Sequence, residues 1–227
     1  MNNETTDGIS VILTGATGMV GEGVLHECLQ HPAIKKVLAI NRKSCKVTHP
    51  KLEEIIHSNF FDLSPIANRL TGFDACFFCL GVSSVGMKEP EYYRLTYTLT
   101  MHMATLLAER NSNMVFCYVS GAGTDSTERG RVMWARVKGK TENDLLKLPF
   151  KQVYNFRPGV LAPTKGLHNT LPLYKYLGGL IPVIKLFFPG YITTLQQLGL
   201  AMIYAATRGY PKQVLEVKDI RVLSQTK

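Results

Sequence analysis

Apolar and polar positions along this chain follow two rhythms. Short runs carrying β-branched or aromatic residues occupy residues 9–13, 36–40, 52–57, 74–81, 113–120 and 151–156, each bounded by glycine or polar clusters. Such runs predict strands, and the most continuously apolar of them, 74–81, reads as a strand buried on both faces. Between them apolar residues recur at helical spacing. Val20, Val24 and Cys28 share one face, as do Met133, Val137, Thr141 and Leu145. The spacing predicts helices over 20–29, 89–109, 129–148 and 193–207, with a late edge strand at 214–217. Over 161–191 glycine and proline recur among aromatics and leucines, which predicts short helices and loops forming a lid on the substrate side of a cleft. The alternation implies an α/β chain: one domain over 1–227 with a doubly wound, mainly parallel sheet, helices on both faces and a ligand at the carboxyl edge.

The first strand runs into Thr14-Gly15-Ala16-Thr17-Gly18-Met19-Val20-Gly21 and then into the first helix. Strand, glycine turn, helix is the context in which a dinucleotide's pyrophosphate is held. Gly15 permits the tight turn, Gly18 lets backbone approach the phosphates, and Gly21 lets the helix lie close on the strand. The helix N-terminus adds N–H groups and a positive dipole end. Gly15, Thr17, Gly18, Met19, Val20 and Gly21 are therefore the candidate contacts of this turn. Gly139-Lys140-Thr141 looks like the tail of a Walker loop, but Trp134 stands where its first glycine belongs. After the second strand comes Asn41-Arg42-Lys43, with no acid to hold a ribose 2′-hydroxyl. Arg42 and Lys43 suit a 2′-phosphate, so the expected cofactor is NADP.

Composition changes this picture little. The net charge is +9, which favours anionic ligands, and a phosphorylated dinucleotide accounts for part of it. No Lys/Arg run exceeds two residues, so no nucleic-acid partner is expected. Five cysteines, mostly in apolar runs, read as reduced thiols. On a strand, Cys76 and Cys79 would face opposite sides and belong to the core rather than to a redox pair. The histidines show no metal-ligand spacing, and no metal is expected. Residues 1–7 are polar, without the apolar core of a signal peptide, and 171–189 is too interrupted to span a membrane. These features lead to the expectation of a cytoplasmic protein.

The motifs together resemble the short-chain dehydrogenase/reductase superfamily, in its extended or atypical, NAD(P)-binding and epimerase-like branch. Its C-terminal part is similar to the group related to the Tat-interacting oxidoreductase. The resemblance rests on Thr14-Gly15-Ala16-Thr17-Gly18-x-x-Gly21, Asp62-Leu63, Leu80-Gly81, Val119-Ser120, Lys138-Gly139-Lys140-Thr141-Glu142 and Arg157-Pro158-Gly159, in that order. It implies a Rossmann-like fold. Asp62 and Leu63 would border the adenine, Leu80 and Gly81 would lie beneath a ribose, and Pro158 and Gly159 would close the cofactor site. It also implies catalytic roles for Ser120 and Lys138, with Lys138 holding the ribose hydroxyls. The superfamily's Tyr-x-x-x-Lys pair is broken, because Trp134 occupies the tyrosine position. An indole N–H donates a hydrogen bond but is not a titrating acid. The expectation is an NADP(H)-dependent oxidoreductase of a small organic carbonyl or alcohol, with a proton from Tyr97, Tyr118, Tyr92 or water. Its rival is a redox sensor or regulatory protein that holds NADPH without turnover. In a third reading residues 171–189 lie on a membrane surface, aided by Lys175 and Lys185.

Overall fold

All six runs become parallel strands of one sheet. The structure is a computed structural model and describes residues 8–162, 164, 167, 169 and 191–225. The strands are β1 (Ile9–Thr14), β2 (Ile34–Asn41), β3 (Leu52–Ile56), β4 (Ala75–Phe78), β5 (Val115–Val119) and β6 (Gln152–Arg157). A further edge strand (Val214–Glu216) completes a seven-stranded sheet in which β1 pairs with β2 on one side and β4 on the other. The chain therefore winds outward through β2 and β3, returns beside β1, and winds outward again. The crevice between the carboxyl ends of β1 and β4 is the topological switch point, where such sheets bind ligands. The fold is α/β, doubly wound and Rossmann-like.

Alternation along each strand divides the core in two. Val11, Leu13, Phe77 and Cys117 pack in one layer, with α1 (Met19–Gln30). Ile12, Cys76, Phe78, Phe116 and Tyr118 pack in the other. Cys76 and Cys79 accordingly point into different layers, as the strand period requires.

The element boundaries differ from the sequence pattern where side chains capture backbone groups. β4 ends at Phe78 because the Cys79 N–H turns to Thr14 Oγ1, 3.2 Å away, and leaves the ladder. The helix expected over 129–148 runs only over Met133–Leu145, here α4. Its start is delayed because the Asp125 carboxylate accepts from the Thr127 and Gly130 N–H groups and holds a turn there. The 89–109 stretch is α2 (Glu89–Tyr93), a π turn (Arg94–Thr98) and α3 (Leu99–Arg110) in succession. The helix α5 (Leu195–Arg208) begins at a capping box of Thr194 and Gln197. Two elements lack a periodic signal long enough to be read: a 3₁₀ helix over Ser64–Arg69 and α6 (Val217–Ser224). Val217 opens that helix, through a capping box of Glu216 and Asp219, instead of ending the edge strand. Most of the expected lid, with Lys175 and Lys185, lies outside the described residues. At its two ends Val160–Ala162 pairs in parallel with Ile192–Thr194. No helix among the described residues is long and apolar enough to cross a membrane.

Candidate cofactor and catalytic site

The β1–α1 turn shows why its glycines are spaced as they are. Gly15 has φ +76°, and a Cβ there would sit 2.9 Å from the Cys79 carbonyl oxygen. A Cβ at Gly21 would overlap the Gly15 carbonyl. Gly15 is demanded by its positive φ and by the backbone that follows β4, and Gly21 by the close packing of the helix on the turn. Gly18 differs: it is exposed at the N-cap of α1, and a Cβ there would meet only the Gly15 oxygen, at 3.5 Å. No side chain caps the helix. The turn therefore keeps open a bare, positively polarised helix terminus for which internal packing gives no reason. That is the shape and charge an anionic pyrophosphate fits.

A cavity of about 900 Å³ opens on this terminus at the carboxyl edge of the sheet. Gly18, Met19 and Val20 form one wall, Leu80 and Gly81 the floor after β4, and Ser120 and Lys138 the far side with Pro158 and Gly159. Five of the sequence-predicted segments thus converge on one space. Gly15, Thr17, Gly21, Arg42, Lys43, Asp62 and Leu63 are outside its wall. Arg42 and Lys43 are exposed just past β2. Asp62 is exposed and accepts from Ser64 N and Oγ at 3.1 and 2.6 Å, while the Leu63 side chain is in the core.

On the far side, the half-buried Lys138 Nζ donates to the Ser120 carbonyl oxygen. The Ser120 hydroxyl donates to Glu142 Oε1 at 2.5 Å. Glu142 is itself buried and clamped by Arg157, whose Nε lies 3.0 Å from Oε1 and whose terminal nitrogen lies 2.5 Å from Oε2. Arg157 reaches on to Glu216 at 3.1 Å and Ser126 at 2.5 Å. Burial pushes the Lys138 ammonium down to about 8, against an upward pull from Glu142. Trp134 is not in the cavity wall; its ring edge packs beside Gly123.

None of the three tyrosines expected to replace the missing acid lines the cavity. Tyr92 and Tyr118 are buried, and burial raises both phenols. Tyr97 donates to Asp144 at 2.8 Å on the outer side of α4; burial and that hydrogen bond push it up to about 12. Tyr191, at the cavity mouth, does line it. Sequence reasoning also missed the buried Asn41, whose Oδ1 accepts from the Ala16 N–H at 3.0 Å while its Nδ2 donates to Glu54 at 2.8 Å. This clamp ties the glycine turn to β2 and β3. Its signal was a polar residue ending an apolar strand, with an acid thirteen positions later.

The model of the NAD dependent epimerase/dehydratase family matches residues 11–129, just over half of the chain. Among curated proteins the chain is similar to "Protein fmp52-1, mitochondrial" of Aspergillus terreus, 26% identical over 69% of this chain and 68% of that protein. It is likewise similar to "Protein FMP52-1, mitochondrial" of Scheffersomyces stipitis, 26% identical over 75% and 78%. Among solved structures it resembles a UDP-N-acetylglucosamine 4-epimerase of Methanobrevibacter ruminantium, with a TM-score of 0.67 and 13% identity over 92% of this chain and 76% of that one. It also resembles the ADP-L-glycero-D-manno-heptose-6-epimerase of Helicobacter pylori, with a TM-score of 0.67 and 15% identity over 99% and 83%. The relatives' names overturn the expectation of a cytoplasmic protein, which rested on the composition of residues 1–7 and on the cysteines. With an NAD(P)-binding fold and a family model spanning β1 to beyond β5, the chain belongs to the NAD dependent epimerase/dehydratase family.

Proposed function

We propose that this protein is an NADP(H)-dependent oxidoreductase acting on a small organic carbonyl or alcohol. The observation that carries the reading is one cavity joining the open Gly18 helix terminus to Ser120 and Lys138. Gly18, Met19 and Val20 would take the pyrophosphate, Leu80 and Gly81 would pass beneath the nicotinamide ribose, and Lys138 would face its hydroxyls. A bound reduced nicotinamide supplies a hydride. The remaining wall is largely apolar, with Val82, Val160 and Leu161, and suits a small uncharged substrate. The relatives' names support a mitochondrial setting. The test is NADPH oxidation against a panel of carbonyls, run beside direct titration with NADPH and NADH. Binding without turnover of any member would favour the rival, a sensor that holds NADPH. What favours that rival is the indole at position 134 and the absence of Tyr92, Tyr97 and Tyr118 from the cavity wall.

Cofactor choice has its own test. Arg42, exposed at the end of β2, offers a forked cation to a 2′-phosphate where an acid would repel it. NADPH should bind more tightly than NADH by about 1.5–3 kcal/mol, on the order of ten- to a hundredfold. Arg42→Ala should erase most of that margin and leave NADH binding nearly unchanged. Equal affinities in the unmodified protein would remove the case for NADP.

The position of the indole makes a second test simple. Trp134 packs beside Gly123 and not in the wall, so Trp134→Phe should leave carbonyl reduction standing. Collapse of kcat at unchanged KM in that variant would show that the indole N–H does engage the substrate.

A further inference from the structure

With the tyrosine position occupied by an indole, a side chain that gives the proton within the cavity has to be another of its wall groups. Among the described wall residues the groups with a transferable proton are Lys138, Tyr191, Cys79, Ser120 and Ser83. Burial pushes the Cys79 thiol far above its ordinary range, so it neither ionises nor gives up its proton readily. Ser120 is disqualified by geometry: its one hydroxyl hydrogen is held between two buried acceptors, Glu142 Oε1 at 2.5 Å and the Phe156 carbonyl oxygen at 3.1 Å. Ser83 is an exposed loop hydroxyl whose oxygen accepts from the Val85 N–H at 3.3 Å, a solvated group rather than one held in the wall. Tyr191 is 64% exposed at the mouth, far more solvated than a group built into the wall. Lys138 remains. It projects from α4 into the wall, and Nζ has three hydrogens, of which the Ser120 carbonyl takes one.

We propose that Lys138 is the proton donor of this protein, and not solely a support for the ribose and an absent tyrosine. This rests on the oxidoreductase reading above. In reduction, the carbonyl carbon gains hydride from a reduced nicotinamide dinucleotide, which leaves oxidised. The carbonyl π pair moves to oxygen, and that oxygen takes a proton from Nζ. The products are an alcohol and a neutral amine, which regains its proton from water in the cavity.

The surroundings suit the task. Glu142, one turn along α4, favours the charged ammonium; Arg157 on β6 neutralises Glu142 from its other side; Tyr118 on β5 and Cys79 after β4 stay neutral. Burial outweighs the carboxylate and brings Nζ to about 8, near the range in which a general acid works best at neutral pH. An ammonium donates only while protonated. The reduction rate should therefore be flat below pH 8 and fall about tenfold per unit above it.

Three measurements on the full chain decide the matter. First, kcat for the carbonyl reduced best is followed from pH 6 to 10 at saturating NADPH, in the unmodified protein and in Lys138→Arg and Lys138→Met. Arginine keeps a cation for the ribose but does not release its proton in this range. Lys138→Arg should retain NADPH binding, lose about a hundredfold or more in kcat, and lose the limb near 8. Second, lysine amines are ¹³C-methylated and titrated by NMR without turnover, with Lys138→Arg to assign the resonance. One amine should titrate near 8 and be displaced by NADPH. Third, the pH profile is repeated on Tyr191→Phe.

Lys138→Arg with near-normal kcat, a Lys138 amine that titrates above 10, or a limb that vanishes in Tyr191→Phe and persists in Lys138→Arg each overturns the assignment. Those results leave the oxidoreductase reading intact. NADPH bound with no carbonyl reduced overturns both, and it is distinguished by the unmodified protein alone.

Discussion

Gly18→Val should abolish NADPH binding in a chain that folds as the unmodified protein does. The two halves of this expectation come from the same geometry. A Cβ at Gly18 meets only the Gly15 oxygen, at 3.5 Å, so the folded protein has room for it. The added branch then fills the space over the uncapped terminus of α1 through which phosphate oxygens would reach the backbone N–H groups. Charge-assisted hydrogen bonds contribute about 1.5–3 kcal/mol each, so losing two of them weakens affinity by on the order of a hundred- to ten-thousandfold. Circular dichroism and the melting temperature should barely change, whereas an NADPH titration should go flat. Gly21→Ala is the contrast, because its Cβ overlaps the Gly15 carbonyl and destabilises the fold itself. A Gly18→Val protein that binds NADPH normally would reduce the turn to a packing device, and the functional reading would go with it.

The different demands on the three glycines were legible from their places in the turn. Gly15 and Gly21 are positions of tight backbone, where a Cβ indeed has no room, and Gly18 is an open one, where a Cβ meets nothing closer than 3.5 Å. The fold was legible, because its information is local. Two-sided apolar strands such as Ala75–Phe78 and the i, i+4 apolar positions of α1 announce themselves within a few residues. The boundaries were less so, since they are set by single captures: Asp125 holding back α4, or Thr14 Oγ1 drawing Cys79 out of the ladder. The site was legible as a list and not as an arrangement. Gly18, Leu80, Ser120, Lys138 and Gly159 were each marked by a motif and do meet around one cavity. The groups that set their chemistry carried no assigned role, although Glu142 and Arg157 stand inside the quoted motifs. Glu142 looks like any helix glutamate until α4 turns it inward against Arg157, fifteen residues on. Asn41 gains meaning only when β1 and β2 bring it beside Ala16. Tyr92, Tyr97 and Tyr118 were candidates by residue type, and the alternation of β5 with the roll of the α2–α3 helix directs each away from the cavity.

Glu142→Ala should cost the folded protein about 3–5 kcal/mol, the range seen when one member of a buried ion pair is removed and the other stays. Glu142 is 1% exposed and Arg157 9%, and the carboxylate accepts three hydrogen bonds from that guanidinium as well as the Ser120 hydroxyl. Truncation leaves Arg157 buried with only Ser126 and the half-exposed Glu216 as partners, and it leaves the Ser120 hydroxyl to the Phe156 carbonyl, 3.1 Å away. The pair's net contribution is a separate quantity. Replacing both members by apolar residues, as in Glu142→Leu with Arg157→Met, should recover much of the loss, because no uncompensated charge remains. Urea denaturation of the three proteins reads both quantities, with the m-value checking that unfolding stays two-state. The single variant carries a second signature. Glu142 is the group that raises the Lys138 ammonium against burial, so removing it lets burial act alone and moves that titration further down. Any pH limb in carbonyl reduction should then shift to lower pH, with the protein protonated and active over a narrower range. A loss below 1 kcal/mol in Glu142→Ala would mean that water satisfies Arg157 as well as the carboxylate does. The Ser120–Glu142–Arg157 chain would then be a surface contact in energetic terms, and its hold on the hydroxyl and on Lys138 would have to come from elsewhere in α4.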